Sequence, residues 1–388
     1  MSDATLAAGY DTSLNDEQIA IRDLARDFAE REIRPVVMQY DESQEFPAEI
    51  FRAMAELGFL GIMVSPEYGG VGLGATEASI IIEEISRVDP SIGLGVAAHN
   101  GLCSGHINRF ASDELKAAYL PRLASGETMG AWGLTEPGSG SDASGMQTVA
   151  RRDGSDWIIN GSKNFITHGT VGDIAVIMAV TDREKRANGV TAFVVDKSMP
   201  GFSASKKENK LGMRCSDTSS LVLEDVRVPA TNMIGGEGEG FRQALMILDG
   251  GRISIAALSV GLAQGALEAA LKYSQERKQF GKNIADFQGI QFKLADMATE
   301  VLAARLMTYR SAFLRDSGRE YAVEASMAKY FASEVAVRCA NEGVQIHGGY
   351  GYIKEYPAEK YYRDAKLLTI GEGTSEIQKI VISRSLLK

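Results

Sequence analysis

Residues 149–167 read Val-Ala-Arg-Arg-Asp-Gly-Ser-Asp-Trp-Ile-Ile-Asn-Gly-Ser-Lys-Asn-Phe-Ile-Thr. Two dipeptides in this stretch, Asp153-Gly154 and Asn160-Gly161, are of the kind that close two-residue hairpins, whose central positions need positive φ. Short runs suited to strands lie beside them: Val149–Arg152, Trp157–Ile159 and Lys163–Ile166. Further β-rich runs follow at Ile174–Thr181, Val190–Asp196 and Ser219–Val228. Together they predict a compact antiparallel β domain, a barrel or sandwich, ending near Pro229.

On both sides the period changes from two to 3.6. Upstream, Asn15 stands three residues before Gln18, a capping-box spacing, and Ile21, Leu24, Ala25, Phe28 and Ala29 line one helical face. More helices are expected at Pro47–Leu57, Thr76–Ser86, Gly95–Arg109 and Asp113–Leu123, with turns at Gly69-Gly70 and Gly72. Downstream of Gly240, Ile253–Ser274 is apolar on nearly every side, as for a helix buried in a bundle or interface. Phe287–Arg315, Glu320–Gly343 and Ser375–Leu387 are further long helices. The expected fold is mostly α with a central β domain: a flexible N-terminus over 1–13, a helical domain over 14–127, a β domain over 128–235 and a helical bundle over 236–388.

A chain of 388 residues, 45% apolar, can bury two or three substantial cores. A net charge of −10 argues against nucleic acid as a partner, although a few local cations can still hold a small anion. Cys103, Cys215 and Cys339 form no disulfide framework, which points to a reducing compartment. His99, His106, His168 and His347 are scattered, so no metal site is expected. No apolar run is read as a membrane span and the opening residues lack a signal core, so a cytoplasmic location is expected.

Three stretches are rich in glycine and polar residues. Trp132-Gly-Leu-Thr-Glu-Pro-Gly-Ser-Gly-Ser-Asp142 opens the β domain, where its glycines allow close approach of a ligand and Thr135 and Ser141 offer hydroxyls; an ordinary linker is the other reading. Gly235-Gly-Glu-Gly-Glu-Gly240 has no strand-to-helix crossover and is not a dinucleotide fingerprint. In Gly371-Glu-Gly-Thr-Ser-Glu-Ile-Gln378, Ser375 and Gln378 have capping-box spacing and Glu376 falls in the first helical turn, where a carboxylate suits the dipole. Glu372 lies before that cap, between two glycines, and is either an acid/base or a polar turn residue.

The first and third of these stretches, together with Asn164-Phe-Ile-Thr167, Gln275-Glu-Arg-Lys-Gln-Phe-Gly-Lys282 and Val344-Gln-Ile-His-Gly-Gly-Tyr-Gly351, resemble the flavin-dependent acyl-CoA dehydrogenases, in order from about Leu14 to the C-terminus. The resemblance implies an N-terminal helical domain, a middle β domain and a C-terminal four-helix bundle, assembled as a homotetramer. It implies FAD as cofactor, an acyl-CoA substrate and electron-transferring flavoprotein as partner. Glu372 matches the base that removes the α-proton of the thioester, and a carboxylate one residue before Arg252, used by some relatives, is absent because that residue is Gly251. Leu134 and Thr135 match contacts to the flavin pyrimidine, Phe165 a residue packing on the isoalloxazine and Thr167 one near N5. Arg277, Phe280 and Gln288 match residues reaching a neighbouring subunit's FAD, and Gln345 to Gly349, with Gly348 between them, the adenosine end. Trp132, Ser141, Thr374 and Glu376 are counted with the cofactor contacts. Ser141, Asp249, Arg252, Gly371 and Gly373 are counted with the substrate. His99 and Asn100 either lie near the closed end of the acyl pocket or pack in the core. Gly371 replaces a tyrosine common in straight-chain enzymes and implies room for a branched or short acyl group. An acyl-CoA oxidase, a desulfinase-type reaction on the same scaffold and a silent flavoprotein are the alternatives.

Overall fold

The structure, a computed structural model, describes residues 14–387, so the flexible N-terminus expected over 1–13 lies outside the described residues. Seven helices come first: α1 (Asp16–Phe28), α2 (Val37–Ser43), α3 (Ala48–Glu56), α4 (Ala75–Val88), α5 (Pro90–Ala98), α6 (Gly105–Phe110) and α7 (Asp113–Ala124). Asn15 caps α1 as its spacing predicts: Asn15 Oδ1 accepts from Gln18 N at 2.8 Å, and Gln18 Oε1 accepts from Asn15 N at 3.2 Å. The single helix expected over 95–109 is instead α5 and α6 joined by a π-helical segment, His99–Ser104. Asn100 in that segment is held sideways: its Oδ1 accepts from Ile62 N at 3.0 Å, and its Nδ2 donates to Phe59 O and Val96 O.

The sheet contains β1 (Met129–Gly133), β2 (Val149–Asp153), β3 (Asp156–Thr167), β4 (Gly172–Val180), β5 (Val190–Asp196), β6 (Phe202–Ala204), β7 (Thr218–Val228) and β8 (Met233–Ile234). Their order is β6-β7-β3-β2-β4-β5-β8, with β1 also beside β4. The domain is mixed rather than antiparallel, because β1 and the start of β2 run parallel to β4. Strand β1, Met-Gly-Ala-Trp-Gly, has too little β-branched content to show in the sequence. A second correction concerns Asn160-Gly161, which is not a turn. Strand β3 runs through it with a register break between Ile159 and Gly161, and Asn160 is locked across to β7 by a reciprocal pair of 2.9 Å bonds with Asp225. The first hairpin does form, with Asp153 paired to Asp156 around Gly154-Ser155, one residue later than expected.

Strand alternation separates two cores. In β4, Ile174, Val176, Met178 and Val180 face the helical residues Ile107, Leu115, Leu120 and Leu123. Ala175, Ile177 and Ala179 face the opposite way, against Trp157, Phe193, Val195, Leu221 and Val226. The sheet is thus buried on both sides, which explains the nearly continuous apolar run of β4.

The C-terminal part holds α8 (Gly240–Glu276), a small hairpin β9–β10 (Lys278–Gln279, Lys282–Asn283), α9 (Gln288–Asp316), α10 (Ala322–His347), α11 (Ala358–Leu368) and α12 (Ser375–Leu386). Helix α11, rich in charge, was not expected. Contrary to expectation, α8 is long and apolar enough to cross a membrane, yet 78% of its most apolar 18-residue window is buried within the protein. Every residue from Gly250 to Ala263 is buried. Ile81 and Ile85 of α4, Val260 and Leu262 of α8, and Ala332 and Val335 of α10 share one core, so the first and last helical regions pack as a single body.

Candidate active site

After α11, Ile370 N and Gly371 N both donate to Leu367 O, at 2.9 and 2.8 Å, and end the helix. The chain then turns left-handed twice, with φ +51° at Glu372 and +93° at Gly373. A side chain at positive φ is disfavoured by its own Cβ, so outside contacts must hold Glu372 there. Lys329 Nζ, from α10, donates to Gly373 O at 2.7 Å. Gln378 Nε2, from α12, donates to the same oxygen at 2.9 Å and to Glu372 O at 3.4 Å. The capping box expected at Ser375 and Gln378 does not form. Thr374 is the cap, its Oγ1 accepting from Ile377 N at 3.3 Å, because Gln378 is drawn back to the loop and Ser375 Oγ donates to Glu334 Oε1 at 2.8 Å. Glu376 is exposed in the first turn, as the helix dipole favours.

The Glu372 carboxylate lies against α8 at Gly251. A Cβ at that position would stand 2.1 Å from Oε2, so only glycine lets the carboxylate reach this place. The residue as a whole keeps some exposure, but Oε2 is sealed from solvent and makes no hydrogen bond. Burial raises the Glu372 carboxyl to about 7, with the nearby charges of Lys329 and Arg252 opposing the rise. Arg252 Nη1 donates to Asp249 Oδ1 at 2.6 Å and to Ser326 Oγ at 3.2 Å, while its Nε is buried without a partner. The Glu372 N–H also donates to no group among the described residues. Leu102 of the π-helical segment borders the carboxylate's place, since a Cβ at Gly251 would meet its side chain at 3.4 Å, and a Cβ at Gly371 would meet the Leu367 side chain at 3.8 Å. A carboxyl with one sealed, unbonded oxygen, raised by burial to about 7, is equipped for proton abstraction.

The β domain presents a second group at the ends of β1 and β3. Phe165 sits in the register break between Lys163 and Ile166, at φ +58° and 68% exposed. Asn164 N donates to Thr135 O at 2.9 Å, and the fully buried Lys163 reaches Leu134 O at 3.3 Å and Glu136 Oε1 at 2.7 Å, which fastens Leu134-Thr135 to β3. The hydroxyls of Thr135 and Thr167 have no partner among the described residues. A large ring held bare on strained backbone, beside two free hydroxyls, fits a planar ligand with polar edges such as a flavin. Ser141 is exposed on the loop after β1. Trp132 points elsewhere: its Nε1 donates to His106 Nδ1 at 3.0 Å among the N-terminal helices.

A third group lies apart from Glu372, with no hydrogen bond to its loop. Tyr273, Arg277, His347, Gly348, Gly349 and Tyr350 line a cleft of about 590 Å³, where Arg277 lies 5.4 Å from the centre of the Tyr350 ring and Gln345 is exposed nearby in sequence. The β9–β10 turn carries Phe280 at φ +52° and 93% exposed, and Gln288 is exposed at the start of α9. His99 and Asn100 turn out to pack in the core: His99 is fully buried between Gly130 N and Leu123 O, and burial lowers it to about 3.

Lys329, Lys163 and Leu102 escaped the sequence reading, and Gln378 was read as part of a cap rather than as a support of the loop. Lys329 alone carried a usable signal, since it stands in the stripe Ala325, Ala328, Ala332 where helical periodicity demands an apolar residue.

The chain matches three family models: the acyl-CoA dehydrogenase N-terminal domain over residues 15–127, the middle domain over 131–226 and the C-terminal domain over 238–387. It is 46% identical to the short-chain specific acyl-CoA dehydrogenase of Clostridium acetobutylicum, over 97% of this chain and 100% of that one. It is also 46% identical to the caffeyl-CoA reductase–Etf complex subunit CarC of Acetobacterium woodii, over 95% and 97%. Butyryl-CoA dehydrogenase from Megasphaera elsdenii superposes with a TM-score of 0.96 at 42% identity, over 98% of this chain and 100% of that one. A glutaryl-CoA dehydrogenase from Mycobacterium smegmatis in complex with FADH2 superposes with 0.92 at 33%, over 96% and 95%. With all three domains matched in order, the chain belongs to the acyl-CoA dehydrogenase family.

Proposed function

We propose that this chain oxidises a short or branched acyl-CoA to the trans-2-enoyl-CoA, with Glu372 as the base that removes the α-proton. One observation carries the reading: a buried carboxyl without a hydrogen bond, near neutral in proton affinity, on a backbone that other side chains hold in a left-handed turn. The free Glu372 N–H suits the thioester oxygen as charge moves onto it, and a positioned base contributes on the order of 10²–10⁴ in rate. Arg252 and Asp249 orient the substrate, with Ser141 at the loop and Gly371 and Gly373 leaving room beside the reacting carbons. Phe165, Leu134, Thr135 and Thr167 hold the isoalloxazine of FAD, which when bound supplies the acceptor for the β-hydride. Arg277, Phe280, Gln288 and Gln345 to Gly349 serve the cofactor of a neighbouring copy. That role accounts for an aromatic ring presented on strained backbone at a hairpin tip. The exposed apolar residues Phe292, Leu302 and Leu306 of α9 support assembly into a homotetramer.

Acyl chain preference follows from Gly371. A Cβ there would make only ordinary contacts with Leu367, so the backbone does not demand glycine, and its effect is to leave volume next to Glu372. The base geometry serves both directions, since the group that removes the α-proton also returns it. The likeness to a CoA reductase in a complex with Etf supports electron-transferring flavoprotein as the partner and makes enoyl-CoA reduction the second reading.

Anaerobic titration of the purified yellow protein with butyryl-, isobutyryl-, 2-methylbutyryl- and isovaleryl-CoA tests this. Loss of visible flavin absorbance with the branched esters is expected. Bleaching by butyryl-CoA alone would overturn the Gly371 argument, and a colourless protein that cannot take up FAD would overturn the whole reading. Stoichiometric hydrogen peroxide in air would instead identify an oxidase.

A further inference from the structure

Among the described residues three lysines, Lys163, Lys329 and Lys360, are fully buried. Two are accounted for by carboxylates: Lys163 pairs with Glu136 at 2.7 Å, and Lys360 with Asp89 and Asp364 at 2.9 and 2.7 Å. Lys329 pairs with none; among the described residues its ammonium has a single hydrogen bond, to Gly373 O. An ammonium removed from water costs several kcal/mol unless opposite charge compensates it, so a lysine in this position is not explained by stability. We propose that Lys329 is a positioning residue for the base: it grips the loop carbonyl that fixes the left-handed turn at Glu372, and its charge keeps the facing carboxylate available in ionised form.

The groups that face this ammonium come from four elements. Glu372 lies on the loop, Arg252 on α8, Glu334 on α10 itself and Glu376 on α12. Arg252 is committed to Asp249 and Ser326, and Glu334 to Ser375. Glu376 is fully exposed to solvent, where screening weakens it. Among the described residues, Lys329 is therefore the one cation acting on Glu372 that holds no carboxylate of its own at contact distance. Burial lowers Lys329 to about 8, opposed chiefly by Glu372, and Lys329 in turn opposes the rise of Glu372. The two groups lie beside one loop, and each moderates the other's cost of burial.

Gln378 provides the internal comparison. It donates to the same Gly373 oxygen but carries no charge. Losing Gln378 loosens the loop and leaves the electrostatics, whereas losing Lys329 affects both.

This inference rests on Glu372 being the base, and the experiment separates the two. Holoenzyme carrying Lys329→Met, Lys329→Gln, Gln378→Leu or Glu372→Gln is mixed anaerobically with butyryl-CoA, and the rate of flavin bleaching is followed from pH 6 to 9. For Lys329→Met we expect a rate lower by about ten- to a hundredfold and an acid limb displaced upward by about one pH unit, because an uncompensated carboxylate takes up its proton more readily. Lys329→Gln, which keeps a donor for Gly373 O, recovers the rate at high pH but retains the displaced limb. Gln378→Leu slows bleaching with the limb in place. A Lys329→Gln protein with the wild-type limb would overturn the proposal, as would a Lys329→Met rate loss matched by its loss of thermal stability with no change in profile. Full turnover in Glu372→Gln would overturn the assignment of the base instead.

Discussion

Glu372 occupies a place that is poor for folding and suited to chemistry. Its proton affinity is raised from an ordinary 4.5 to about 7 by burial, so the folded state favours the protonated form. The stability associated with that proton is fully present below about pH 4.5, fades as pH climbs and is gone above about 7. The full difference corresponds to about 3 kcal/mol. Glu372→Gln is therefore expected to be more stable than the parent at pH 8, by about 1–3 kcal/mol, with the gap less than half as large at pH 5.5, while substrate no longer bleaches the flavin. Thermal melts at the two pH values check it. An equal gap at both would mean that the carboxyl is not ionised against its surroundings at pH 8. Phe165 and Phe280, which we propose meet the cofactor, share the positive φ of Glu372, and strain of this kind persists only where the surroundings impose it.

Helix α4 shows how one element depends on another for its ends. Its N-cap is Gly74, which has no side chain to offer. The carboxylate of Asp316, at the last position of α9, does the capping from outside: Oδ1 accepts from Ala75 N at 2.6 Å, and Oδ2 accepts from Thr76 N and Thr76 Oγ1 at 2.9 and 2.7 Å. This contact spans the first and last helical regions of the chain. Asp316→Ala is expected to destabilise the protein by about 1–2 kcal/mol in urea titrations, and Asp316→Asn, which keeps an acceptor, by clearly less. Equal losses for the two would show that charge rather than capping matters there. The π-helical segment between α5 and α6 is the other element of note, since its extra residue places Leu102 over Gly251.

At the scale of the molecule, one buried cluster ties three regions together. Lys360 of α11 bridges Asp89, at the head of α5, and Asp364, whose carboxylate also accepts from Met213 N of the loop between β6 and β7 at 2.5 Å. Tyr361 OH, next along α11, donates to Arg87 O at 2.7 Å. Burial raises the Asp364 carboxyl while Lys360 opposes it, and the two carboxylates raise the ammonium. Removing the cation leaves two carboxylates in a dry interior. Lys360→Met should lower stability by about 3–5 kcal/mol, read from chemical denaturation, with loss of FAD tracking unfolding. A loss under 1 kcal/mol would show that the cluster is open to water.

Periodicity and turn chemistry determined the helix–sheet–helix order, the capping of α1, the first hairpin and the burial of α8, because these depend on neighbours within a few residues. The motif Gly371-Glu-Gly marked Glu372 as either an acid/base or a turn residue, and the family resemblance chose the first. Tertiary structure decided the rest. Strand β1 exists because β4 offers it a parallel edge, and Asn160-Gly161 is strand because Asp225 completes its hydrogen bonds. Thr374 caps α12 because Gln378 is needed by the loop before it. The dry setting of Glu372 comes from Gly251, Arg252 and Lys329, which approach from 43 to 121 residues away in the chain. Local sequence carries no record of such contacts, since desolvation and charge at a point depend on everything packed around it.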